Sequence, residues 1–84
     1  MKKNRIKKVL LPIFNDYIDL INIKKVLESD YDILDFKNID YITSELIVEI
    51  AKYSKGKQLT LINVNNNIKS IFNIVGLDKI VKIR

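Results

Sequence analysis

Eighty-four residues, 48% of them hydrophobic, are enough for one small domain with a thin core, and the net charge is +5. The chain has no cysteine and no histidine, which removes disulfides, thiolate metal sites, the commonest metal ligand and the commonest general base. Catalysis therefore starts from a poor inventory, and no apolar window approaches the roughly 18 residues that a membrane span requires.

Residues 1–5, with Lys2, Lys3 and Arg5, read as a flexible basic tail on a single domain covering 1–84. The basic start followed by Val9-Leu10-Leu11-Pro12-Ile13-Phe14 partly imitates a signal peptide. Its apolar stretch is short and no small-residue cleavage site follows, so the expectation is a cytoplasmic protein. Residues 5–14 predict a strand in which Pro12, lacking a ladder donor, belongs at an edge or an end. Asn15 or Asp16 can cap a helix over 16–29. Its apolar face is predicted at Tyr17, Leu20, Ile21, the Lys24 stem, Val26 and Leu27, widened by Ile18 and Ile23.

The second strand is predicted at Asp32–Phe36, short and mostly apolar as in a sheet covered on both faces. An acidic loop follows and delivers Thr43 and Ser44 to a helix over Ser44–Ser54 that carries Leu46, Ile47, Ile50 and Ala51 on one face. Lys55-Gly56-Lys57 is a turn, Gln58–Val64 the third strand, and the asparagines at 65–67 cap a third helix. That helix carries Ile68, Ile71, Phe72 and Val75, and Gly76 fits the left-handed position just past its end. Ile80, Val81 and Ile83 predict a last strand. The order βαβαβαβ, with short connections, predicts an α/β fold: a four-stranded, largely parallel sheet with right-handed crossovers and helices packed on it.

Charge is unevenly placed. Residues 16–50 hold nine acids against three lysines, whereas 51–84 hold seven bases against Asp78. Such polarity suits a charged protein partner at least as well as nucleic acid. Five cations before residue 9 can meet phosphates, but no aromatic stacking platform supports them, because Phe14, Phe36 and Phe72 fall on core-like positions. Nucleic-acid binding through the basic termini is therefore the rival reading.

Three pieces in order carry a family resemblance: Ile33-Leu-Asp-Phe-Lys-Asn-Ile-Asp-Tyr-Ile, Leu59-Thr-Leu-Ile-Asn-Val, and Ile71-Phe-Asn-Ile-Val-Gly-Leu-Asp-Lys-Ile. Together they resemble the STAS domain, named for sulfate transporters and anti-sigma-factor antagonists, over about residues 9–84. In regulatory members the junction into the helix reads Asp-Ser-Ser-Gly, and the serine after the aspartate is phosphorylated by a kinase-like anti-sigma factor. The resemblance places that aspartate on Thr43 and that serine on Ser44. Glu45 and Leu46 then replace the second serine and the glycine. A phosphate on Ser44 would be favoured by the helix N-terminus and opposed by Glu45.

The resemblance implies a non-catalytic interaction module without cofactor or metal. Its partner-binding residues would be Asn38, Asp40, Tyr41, Thr43, Ser44, Glu45 and Val48, with Ser44 and Thr43 as phosphorylation candidates. It offers two partner classes, a kinase-like anti-sigma factor or the ATPase of a transporter that the module serves as a constitutive adaptor. Family members usually carry an extra first strand and a further terminal helix. With little before Ile6 and an end at Arg84, apolar surface suited to a homodimer or a stable partner is expected.

Each residue also has an ordinary reading. Thr43 or Ser44 can be a simple N-cap, worth about 1 kcal/mol. Asp35 and Asp40 near a strand's C-terminal end lie where ligand sites occur in open α/β sheets, yet no third ligand or glycine-rich loop joins them, so solvated loop acids are expected. Gly76 needs no role beyond a helix cap. Tyr53 and Val48 can be partner anchors or the flank of the core stripe.

Overall fold

A computed structural model describes residues 6–84, apart from the Tyr17 side chain. The elements run β1 (Lys8–Leu10), α1 (Tyr17–Val26), β2 (Ile33–Asp35), α2 (Ser44–Tyr53), β3 (Thr60–Ile62), α3 (Asn66–Val75), a 3-10 turn (Leu77–Lys79) and β4 (Lys82–Ile83). The expected basic tail, and Arg5 at the start of the first predicted strand, lie outside the described residues.

The sheet is parallel throughout, with its strands side by side in chain order. Right-handed crossovers that always step the same way deposit every helix on one face. Side-chain alternation agrees with this. Val9, Leu34, Leu61 and Ile83 share one register row, in which Leu34 and Leu61 are fully buried. They meet Leu20 and Ile23 of α1, Leu46 and Ile50 of α2, and Ile68 and Phe72 of α3 in one core. The opposite rows, Lys8-Ile33-Thr60-Lys82 and Leu10-Asp35-Ile62, are only partly covered or exposed. The sheet thus has a packed face and a bare one, rather than the two covered faces expected for an apolar parallel strand.

The helices start where the sequence offers a side-chain acceptor. Asp16 caps α1 by accepting from the Ile18 and Asp19 amides, Thr43 caps α2 through Leu46, and Asn65 caps α3 through Ile68. At the far end of α3, Gly76 adopts φ 83°, a left-handed conformation that side chains other than glycine enter at a cost. No heavy atom lies within 4 Å of the position a Cβ would take there, so the penalty for a side chain is backbone strain alone. Gly76→Ala is expected to destabilise the fold by about 1–2 kcal/mol, read as a lower urea midpoint with an unchanged slope.

Several sequence expectations are corrected. Strands are shorter than predicted. β1 stops at Leu10, with one further ladder bond from the Leu11 amide to Asp35 O (3.0 Å) before Pro12, which has no donor. In α1 the buried positions are Leu20 and Ile23, flanked by Val26 and Leu27, while Ile18 and Ile21 face outward. So many positions of this helix are apolar that the periodicity does not single out one face. In α3, Ile68 and Phe72 are buried, but Ile71 and Val75 are exposed because the helix lies at the end of its layer. Ile80 is no strand residue. The 3-10 turn over Leu77–Lys79 consumes the chain before β4 and buries Leu77, leaving Ile80 exposed as its cap.

Candidate functional site

The loop from β2 to α2 is pinned at both ends. Asp35 Oδ1 accepts from the Lys37 amide and from Asn63 Nδ2, both at 2.9 Å, tying the loop to the residue after β3. Asn63 sits at φ 56°, a conformation that asparagine tolerates. The Phe36 amide extends the ladder to Ile62 O at 2.9 Å. Ile39 then plugs into the core at 1% exposure, its amide closing a turn onto Phe36 O. Asp35 is therefore a loop organiser. It does not pair with Asp40, which is exposed, and no cluster of three potential metal ligands occurs among the described residues.

With Ile39 inward, Asn38 and Asp40 are left in solvent. Tyr41 is 52% exposed and its ring stacks on buried Phe14, centroids 5.8 Å apart. Thr43 takes the cap, its hydroxyl accepting from the Leu46 amide at 3.3 Å. Ser44 is the first helical residue and is exposed; among the described residues its hydroxyl makes no hydrogen bond. The two hydroxyls thus divide the roles that the sequence left open between them. Thr43 serves the helix, and Ser44 remains free.

Along α2, Ser44, Val48 and Lys52 recur at four-residue spacing on the exposed side, with Glu45 beside them and Val48 49% exposed. Leu46 and Ile50 hold the opposite side fully buried. Glu49 bridges to Lys52 at 3.9 Å and to Lys24 of α1 at 4.0 Å, contacts too exposed to stabilise much. The loop and helix thus expose two apolar side chains, Tyr41 and Val48, and two carboxylates, Asp40 and Glu45. All seven sequence-predicted site residues fall on this loop and helix.

Tyr53 is absent from that surface. Its hydroxyl accepts from the Tyr31 amide and donates to Ser29 O, both at 2.6 Å, joining the end of α2 to the chain entering β2. Lys57 lies over the same ring at 3.9 Å, donates to Tyr31 O at 3.0 Å and pairs with Asp30. The hydrogen bond and charge of Lys57 hold Asp30 below the usual carboxylate range. Burial alone would pull the Lys57 ammonium down, but the hydrogen bonds to Asp30 and Tyr53 outweigh it and raise the group. This cluster at the opposite end of the sheet is structural. Sequence reasoning missed it because its hydrogen bonds and ion pair join residues 22–27 apart.

Comparison with models of protein families, with curated proteins and with solved structures finds no match to this chain.

Proposed function

We propose that this protein is a non-catalytic, STAS-like interaction module that docks on another protein through the Asn38–Thr43 loop, Ser44 and the outer side of α2. The observation that carries the reading is the uncommitted Ser44 hydroxyl beside a helix N-terminus whose capping is already supplied by Thr43. A phosphate there would gain from the helix terminus without displacing a cap. It would also add about −1.5 to −2 charge next to Asp40 and Glu45. A partner with a basic or mixed patch, of the kind expected in a kinase-like anti-sigma factor, would bind the unmodified form. Phosphorylation would release it by repulsion from the carboxylates of a mixed patch and by the cost of desolvating the phosphate.

A second reading is favoured by the exposure of Tyr41 and Val48. Apolar anchors among charges suit constitutive docking, as an adaptor on a transporter ATPase would require. The two readings separate on variants of the full chain, titrated against the protein that co-purifies with it. The switch predicts that Ser44→Asp weakens binding roughly tenfold while Ser44→Ala changes it little. The adaptor predicts that both Ser44 variants bind normally and that Val48→Glu abolishes docking. Unchanged affinity in all three variants would remove this surface from consideration.

A further inference from the structure

We infer that the bare face of the sheet is a second docking surface, on the side opposite to Ser44, and that its occupant is an acidic amphipathic helix of a partner protein. Parallel sheets are ordinarily covered on both faces, since their crossovers place helices there. Here the three helices all lie on one side, and among the described residues nothing covers the other. Its two central strands present Ile33 and Ile62, only partly covered, beside Thr60 and Asp35, and Leu10 of β1 is half exposed. Ile6 and Ile80 extend it at the strands' N-terminal end, where an open groove of about 820 Å³ is also lined by Lys57, Lys79 and Lys82 and by Asp32 and Asp78, whose carboxylates accept from the Lys7 amide and Asn73 Nδ2.

The charges specify the occupant. Lys8 marks the β1 edge; Lys82 and Arg84 mark the β4 edge, and all three are exposed. Asp35, the carboxylate in these rows, is already engaged by Asn63 and the Lys37 amide. With neighbouring strands about 4.8 Å apart, Lys8 and Lys82 stand about 14 Å from each other across the row. An α-helix with its side chains is about 10–12 Å wide. A helix laid along the strands would therefore set an apolar stripe on Ile33, Thr60 and Ile62, with a cationic rim on each side. Acidic residues flanking that stripe on both sides complement the rims. Nucleic acid would also meet the cations, but the face carries aliphatic side chains where base stacking needs aromatic ones. A second copy would have to present the same positive rims to itself.

The inference does not rest on the Ser44 reading. Its test is a titration of the full chain with a synthetic helix about 18 residues long, bearing a leucine stripe flanked by glutamates. Backbone amide NMR reports the position of contact. Saturable binding in the micromolar range, with shifts centred on Ile33, Thr60 and Ile62, is expected. The exposed double variant Lys8→Glu, Lys82→Glu should bind roughly tenfold more weakly, and Ile62→Ser should also lose affinity. The same stripe flanked by lysines should not bind. Absence of binding, binding indifferent to flank charge, shifts confined to α2, a dimer formed through this face, or preference for a DNA duplex would each overturn the inference.

Discussion

Phe72→Ala is expected to remove about 3–5 kcal/mol of folding stability. The ring is fully buried on α3 and meets Phe36 edge-on, with centroids 5.9 Å apart at 87°. Truncation forfeits that aromatic contact and leaves a void between α3 and Phe36. A domain of this size has about 4–13 kcal/mol in total. Much of the population should therefore unfold at moderate temperature, with a urea midpoint far below that of the wild type. Phe72→Leu, which keeps most of the volume, should cost clearly less. Equal losses for the two variants would show that the position is not packed as described.

Tyr53→Phe should cost about 1–3 kcal/mol although the ring and its packing are retained. The hydroxyl is the partner of the Tyr31 amide and of Ser29 O, each at 2.6 Å, and the amide is partly buried. Its loss leaves a donor without a protein acceptor at the entry to β2. Lys57 keeps its place over the ring, at 3.9 Å, but loses the hydrogen bond that the hydroxyl offers its ammonium. Chemical denaturation measures the loss, and amide exchange at Tyr31 should accelerate more than exchange at Leu46. A change within about 0.5 kcal/mol would place the tyrosine among ordinary surface residues.

Local signals carried most of the architecture. Asp16, Thr43 and Asn65 are capping residues by type, and Gly76 stands where a left-handed residue closes α3. Phe14, Phe36 and Phe72 were legible as core because each falls in an apolar run, and each is at most 1% exposed. The parallel sheet followed from alternation of elements. Failures came where sequence period is ambiguous or tertiary position decides. Ile18, Ile21 and Ile23 cannot be ranked by a helical period that nearly every apolar residue of α1 satisfies. Ile71 and Val75 sit on a helix with a neighbour on one side only, a fact of topology that no local window contains.

At the candidate surface, the loop and helix were visible as an acidic stretch leading to two hydroxyls. Which hydroxyl served the helix was not visible, because threonine and serine are both good caps. Asp35 looked like one half of an acid pair. Its role in holding Asn63 depends on a contact 28 residues away. Long-range side-chain bonds of this kind, like those around Tyr53, leave no periodic trace.

The proposed contact surface is tested most directly by hydrogen–deuterium exchange of the full chain, free and bound to the protein that co-purifies with it. Protection gained over residues 38–48 on binding is the expected result, and the Val48→Glu chain mixed with the same partner should gain none. Exchange over 38–48 that stays unchanged in the complex, with protection confined to other segments, would contradict docking through Ser44 and α2.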